Sequence, residues 1–340
     1  MKTITSESDS KVILSTEKTE DFLVSILISS YNYGRYLSQA IDSALNQTYG
    51  NVEVIVVDDG STDSSSELIK SYGDQVIAVL KENGGQASAM NAGFAASSGK
   101  VICLLDADDL FLPEKVSYVA DLFQENPDID WVFNQSARLD ATEINAEDLA
   151  DIFQKVRVES CQTQLDKIDF RRGVIKGKIP DFPPSTSNLC FSRRIMEKIF
   201  PLPEVKGVSG VAISDLYIHT LAIGLSTGYS TKQDFGIYRC HEINVGSSFQ
   251  IKRRRAAEIN INTGYWIRKN FPQFKHVSNK FLSRGYATYL STCYAKSREL
   301  SIIREEKVEP YLNDNSLFMK LKVSLMVLYY WIKLRFKEFV

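Results

Sequence analysis

Histidine is scarce in this chain, at three residues in 340, and the five cysteines (Cys103, Cys161, Cys190, Cys240 and Cys293) lie far apart with no CxxC pair. That spacing excludes the clustered ligands of a structural zinc site. Scattered thiols of this kind read as small buried hydrophobes in a reducing compartment. An excess of either charge is also missing: 40 Lys and Arg stand against 42 Asp and Glu. A nucleic-acid binder shows a basic surplus on its binding domain, so that class is set aside. No apolar run reaches the roughly 18 to 20 residues that a spanning helix needs. The nearest, VSLMVLYYWI at 323–332, falls short. The polar opening stretch, MKTITSESDSKVILSTEKTE, has no apolar core of a secretory leader, and residues 1–20 are expected to be a loose arm. The expectation is a cytoplasmic protein.

What the chain does have is alternation. Short β-branched runs, LVSILIS (23–29), VEVIVV (52–57), QVIAVL (75–80), VICLL (101–105) and IDWVFN (129–134), are separated by segments of helical periodicity. Leu37, Ala40, Ile41, Ala44 and Leu45 form one such apolar stripe. Ser64 with Glu67 has the spacing of a capping box, and Pro113 suits the first turn of a further helix. Strands alternating with helices predict an α/β fold with an open, mostly parallel sheet. Ligands of such sheets sit in the crevice beyond the carboxyl ends of the strands.

Two acidic clusters fall at those ends: Asp58-Asp59, and Asp106, Asp108 and Asp109 directly behind VICLL. Like charges this close are costly unless a cation joins them. Hard divalent ions suit the second cluster, since Mg²⁺ binds through one or two carboxylates plus substrate phosphates. The other reading is a solvated loop in which Asp108 or Asp109 caps the next helix. DDGSTD is likewise strong turn chemistry, although a strand-end carboxylate also accepts hydrogen bonds from a base N–H or ribose hydroxyls.

VSILISSYNYGRYLSQAIDSALNQTYGNVEVIVVDDGSTDSS, followed by ENGGQASAMNAGFAASSGKVICLLDADD, resembles the glycosyltransferase family 2 pattern in order, spacing and strand context. The likeness is close over residues 23–125 and looser to about 250. It implies a GT-A type fold, mostly parallel in its central sheet and flanked by helices, with a C-terminal helical extension over 251–340. The nucleotide-sugar half spans about 21–135 and the acceptor half about 136–250. The implied activity is inverting transfer from a nucleotide-diphosphate sugar, with a UDP-sugar expected, using Mn²⁺ or Mg²⁺. By motif position, Ser29 and Tyr31 line the nucleotide pocket and Asp59 holds the base or ribose. Asn83 and Gln86 belong to the same pocket, Asp106 approaches the ribose, and Asp108 coordinates the metal. Asp109 is a supporting residue or a cap. Relatives often carry a basic residue after the NGG loop, where this chain has QASAMN. Base contacts then fall to Gln86 or Asn91.

For the acceptor half, the resemblance places the general base at the start of a helix about a hundred residues past the DxD. There GVAISDLYIHTLAIG (210–224) offers Asp215, which could equally be a helix cap, as could Ser214. Asp181 and Asp234 are weaker rivals. Ser185, Thr186 and Ser187 either bond sugar hydroxyls or start a strand. In YRCHEINVGSS (238–248), Arg239 is a diphosphate contact and His241 a third metal ligand; His219 and His276 are taken as structural. KRRR at 252–255 reads as a solvated face. The last segment, rich in Lys and aromatics, either lies on an anionic membrane surface or docks on the catalytic domain. The expected acceptor is a glycan or lipid-linked glycan of surface polysaccharide or glycoconjugate synthesis. The rival functions are a non-catalytic nucleotide-sugar-binding subunit of a glycan assembly complex and a nucleotidyltransferase, though SSYNYGRYL lacks the glycine-rich basic loop of the latter.

Overall fold

The computed structural model describes residues 22–145, 148–159, 165–179, 185–205, 213, 215–242, 249–292, 304–314 and 316–337. The arm at 1–20, Cys161, Asp181, Ser214 and Cys293 lie outside these residues. Strands β1 (Val24–Ser30), β2 (Val52–Asp59), β3 (Ile77–Lys81), β4 (Val101–Asp106), β5 (Leu110–Phe111), β6 (Trp131–Asp140), β7 (Leu165–Ile168), β8 (Leu189–Ser192) and β9 (Gly228–Cys240) form one nine-stranded sheet. Its order is β3-β2-β1-β4-β8-β6-β9-β5, with β7 on β9. The first four strands pair in parallel, as helical crossovers require. Beyond β4 the sheet is mixed: β8 runs antiparallel to both β4 and β6, while β6 and β9 are parallel.

The crossovers are α1 (Gly34–Leu45), α2 (Ser65–Ser71), α3 (Gln86–Ala96) and α4 (Lys115–Glu125). Alternation along β1 sorts them into layers. Ile26 and Ile28 face Leu37 and Ile41 of α1 with Phe123 of α4, whereas Leu27 faces Met90 of α3. Gly93 lets α3 come close, because a Cβ there would sit 2.7 Å from Leu27 Cγ. The second half adds α5 (Leu149–Glu159), α6 (Arg171–Ile175), α7 (Arg193–Ile199) and α8 (Asp215–Leu225). Then follow α9 (Phe249–Asn270), α10 (Lys275–Leu290), α11 (Glu309–Asn313) and α12 (Leu317–Lys337). Tyr217 and Ile218 of α8, with Val277 and Phe281 of α10, close the core over Trp131 and Phe191.

Three local expectations shift. Ser64 makes no side-chain cap to α2. Asp63 does that work instead, accepting from Ser65 N at 3.0 Å and from Gly34 N at 2.9 Å, so one carboxylate ties two loops together. Pro113 precedes α4 by two residues, and its carbonyl accepts from Thr48 N at 2.8 Å. β6 continues through NQSARLD to Asp140, because β9 supplies a long parallel partner for a stretch with little intrinsic strand signal.

Candidate active site

Register fixes the centre of the site. Ser29 is opposite Asp106 across β1 and β4, and Ser30 is opposite Asp58 across β1 and β2. The carboxyl ends of β2, β1 and β4 are therefore consecutive, which sets the two acidic clusters about 10 Å apart at normal strand spacing. Asp58 holds its own turn, accepting from Ser66 Oγ at 2.5 Å and Ser61 N at 3.3 Å. Asp59 is buried and accepts from Lys81 Nζ at 2.7 Å, Gly84 N at 3.0 Å and Gly85 N at 2.7 Å. Asn83 Nδ2 donates to the Asp59 carbonyl at 2.9 Å. Asp59 thus shapes the NGG loop, with much of its acceptor capacity already taken by the protein itself. Gly60, at φ +73°, is where this loop and the DGSTD turn touch: a Cβ there would lie 2.6 Å from Asn83 N.

The DxDD turn divides its carboxylates. Asp106 lies partly exposed in the cleft, with its amide donating to Ser187 Oγ at 3.1 Å and the Thr186 hydroxyl on its carboxylate. Burial first, then the charges of Asp109, Asp108 and Asp215, pushes its pKa well above the ordinary carboxylate value. Asp109 points inward at 1% exposure, accepting from Ser187 Oγ at 2.6 Å and Arg239 N at 3.0 Å. Burial and the Asp108 charge raise it to about 7. It is a strut, not a cap. Beneath it, the buried Lys115 ammonium donates to the Ser187 carbonyl, and burial lowers its pKa.

Asp108 faces His241, whose Nε2 lies 2.8 Å from Asp108 Oδ2. The imidazole is held against Tyr36, with ring centroids 4.8 Å apart. One carboxylate oxygen and one imidazole nitrogen at that separation suit two neighbouring positions on a divalent ion. Among the described residues no group of three or more His, Cys, Asp or Glu side chains is arranged to hold a metal. A cation held by Asp108 and His241 would draw its remaining ligands from phosphate oxygens and water.

Arg239 departs from its expected place at the diphosphate. It is 2% exposed, with Nε on the Asp108 carbonyl at 2.7 Å, Nη2 on Gln39 Oε1 at 2.7 Å, and its guanidinium 4.8 Å above the Tyr36 ring. It fixes the Asp108 turn. Asn91 also leaves the nucleotide pocket, since its amide bonds Leu202 N and O and Glu204. Tyr31 is 47% exposed at the rim, Gln86 opens α3, and Asn83 is exposed.

Asp215 starts α8 as expected and accepts from Leu216 N at 2.8 Å. It lines a cavity of about 440 Å³ together with Asn134, Ser136, Ser185, Asn188 and Tyr238. Asn188 Oδ1 accepts from Asn134 Nδ2 at 2.9 Å and Ser136 Oγ at 2.7 Å, while its Nδ2 donates to Ser185 Oγ at 2.9 Å. Asp59, Asp106 and Asp108 do not line the cavity. His219 is a buried helix residue whose Nδ1 donates to the Asp215 carbonyl at 2.9 Å. Asp234, on β9, is outside the cavity lining.

Sequence reasoning missed the cavity-lining Asn188, and also Tyr33 and Arg255. Burial first, then the charges of Asp108 and Asp106, raises the pKa of the Tyr33 phenol, which stays protonated beside those carboxylates. The charge of Arg255, an exposed member of the KRRR run, lowers the same phenol. The only available signal was position: Tyr33 follows β1, where a parallel sheet presents its ligand crevice.

The profile of glycosyl transferase family 2 matches residues 25–200, and the chain belongs to that family. An uncharacterized glycosyltransferase of Nostoc sp. is 36% identical over 190 residues, covering 54% of this chain and 55% of that protein. Chondroitin synthase of Pasteurella multocida is 41% identical over 114 residues, 33% of this chain and 12% of that protein. The chain spans about half or less of the length of these curated relatives. The S. aureus TarS structure in complex with UDP-GlcNAc superposes with a TM-score of 0.53 at 14% identity, covering 88% of this chain and 79% of that one. That likeness establishes the GT-A fold. No helix among the described residues is long and apolar enough to cross a membrane.

Proposed function

We propose that the protein transfers a sugar from a nucleotide-diphosphate sugar, a UDP-sugar foremost, to a hydroxyl of a glycan or lipid-linked glycan with inversion at the anomeric carbon. The observation that carries this reading is that the charges of Asp109, Asp108 and Asp215 all bear on Asp106 at the end of β4, while Asp215 also lines a cavity of hydroxyls and amides. Carboxylates gathered there suit a diphosphate joined by a cation, and Asn188, Ser136 and Ser185 suit sugar hydroxyls.

In this reading the nucleoside lies over the ends of β1 and β2, against Ser29, Tyr31 and the Asp59-ordered NGG loop with Asn83 and Gln86. Asp106 accepts from the ribose. Asp108 and His241 would hold Mn²⁺ or Mg²⁺, which when bound neutralises charge on the diphosphate leaving group. Arg239 keeps the Asp108 turn in place, and Arg255 with the Tyr33 hydroxyl supplies further donors. Across the cleft, Asp215 takes the proton of the acceptor hydroxyl as its oxygen bonds to the anomeric carbon. The bond from that carbon to the diphosphate breaks on the opposite face. One direct displacement inverts the centre.

The test measures release of nucleoside diphosphate together with donor binding. Asp215→Asn is expected to bind donor as the parent does and to lose roughly 10²- to 10⁴-fold in turnover. Asp108→Ala is expected to lose both turnover and cation-dependent binding. Parent-level transfer by either variant overturns the assignment. Donor binding by the parent with no transfer to any acceptor favours the non-catalytic subunit instead.

A further inference from the structure

Helix α12 packs on the rest of the molecule along one side, where Val323 and the partly buried Val327 meet Leu282 and Tyr311. Its opposite side is apolar and open. Leu317, Phe318, Leu321, Leu325, Leu328, Tyr329 and Ile332 are between 40% and 83% exposed. At about 100° per residue these fall within roughly a third of the helix circumference, opposite Val323. Solvated helices of globular proteins carry polar residues on that side. Among the described residues, no other helix exposes more than one large apolar side chain to this degree.

The charge around the stripe has one sign. Helix α12 contains Lys320, Lys322, Lys333, Arg335 and Lys337 and no acidic residue. Lys320 and Lys322 sit roughly 100° to either side of Leu321, at the two borders of the stripe. The positive field extends onto neighbouring elements: beyond burial, the charges of Lys322, Lys275 and Arg268 hold the His276 pKa down. Two copies meeting stripe to stripe would bring these cations together, whereas a surface of anionic headgroups over acyl chains complements both charge and apolarity. Lysine stems also reach outward from an apolar stripe and keep their ammonium groups at headgroup level.

We infer that the exposed face of α12 is a peripheral docking surface for an anionic lipid bilayer, the helix lying in the interface plane. This surface stands apart from the strand-end cleft and does not depend on the transfer chemistry assigned there.

The experiment is co-sedimentation of the full chain with vesicles of phosphatidylcholine alone and with vesicles in which phosphatidylglycerol replaces part of it. Selective sedimentation with the anionic vesicles, weakened by salt, is expected. Leu321→Glu, Leu325→Glu and Leu328→Glu combined should weaken it at least about tenfold. So should Lys320→Gln, Lys322→Gln and Lys333→Gln combined. All six side chains are on the helix surface, and circular dichroism and the melting temperature should match the parent. Sedimentation with neither vesicle, or equally with both, overturns the inference. So does light scattering that shows a dimer abolished by the leucine variant while vesicle binding is absent, because the stripe then belongs to a second copy.

Discussion

Asp109 and Arg239 show how the cleft separates acting residues from supporting ones. The two are neighbours in space, and Arg239 grips the backbone on which Asp108 stands. Replacing Arg239 by Met should leave the Asp108 carbonyl and Gln39 short of a donor in a buried setting. We expect a loss of about 3 kcal/mol in urea unfolding, together with weaker donor binding. Arg255→Ala, on the exposed side, should leave stability unchanged within roughly 0.5 kcal/mol and raise the KM for donor. His219 gives a pH signature. Burial lowers its pKa below 6.5, so between that value and its folded pKa the unfolded chain binds a proton that the folded chain does not. Its contribution therefore falls as the solution is acidified below 6.5, by up to about 1.4 kcal/mol per unit. The melting temperature of His219→Gln should decline less steeply over that range. At this scale the strand-end aspartates were legible, because carboxylates behind a buried run are costly wherever they occur. Asn188, Tyr33 and Arg255 were not, because their meaning arises only from neighbours far away in the chain.

Loops and strands carry the next level of constraint. The turn after β2 and the loop before α3 share an atom-to-atom contact at Gly60, and only a residue without a Cβ at positive φ allows it. Gly60→Ala should cost about 1–3 kcal/mol and weaken nucleotide binding without altering Asp215 chemistry; calorimetry with UDP reads both effects. The period-2 runs of β1, β2 and β4 and the periodicity of α1 were readable because each element buries its own apolar pattern. The polar half of β6 was unreadable for the opposite reason. NQSARLD becomes a strand because β9 lies beside it, and the pairing brings Asn134, Ser136 and Arg138 into the cavity lining. The α2 cap moved from Ser64 to Asp63 because Gly34, on another loop, claims the same carboxylate.

Over the whole molecule, the four parallel strands carry both acidic clusters at their ends, and the mixed half carries Asp215. Binding of UDP with Mn²⁺ should raise the melting temperature by several degrees at saturation, and excess chelator should remove most of that rise. The mixed half was visible in outline as a run of further elements. The reversal of direction at β8 was not, since nothing in LCFS states which neighbour it will choose. That reversal has a consequence for how the chain assembles. The four parallel strands find one another over short stretches of sequence, but the polar half of β6 must wait for β9, which arrives about a hundred residues later. A nascent chain released just beyond β5 still lacks Ser187, Arg239 and His241, the partners that brace the DxDD turn, so that turn takes its final form only once β9 has been made.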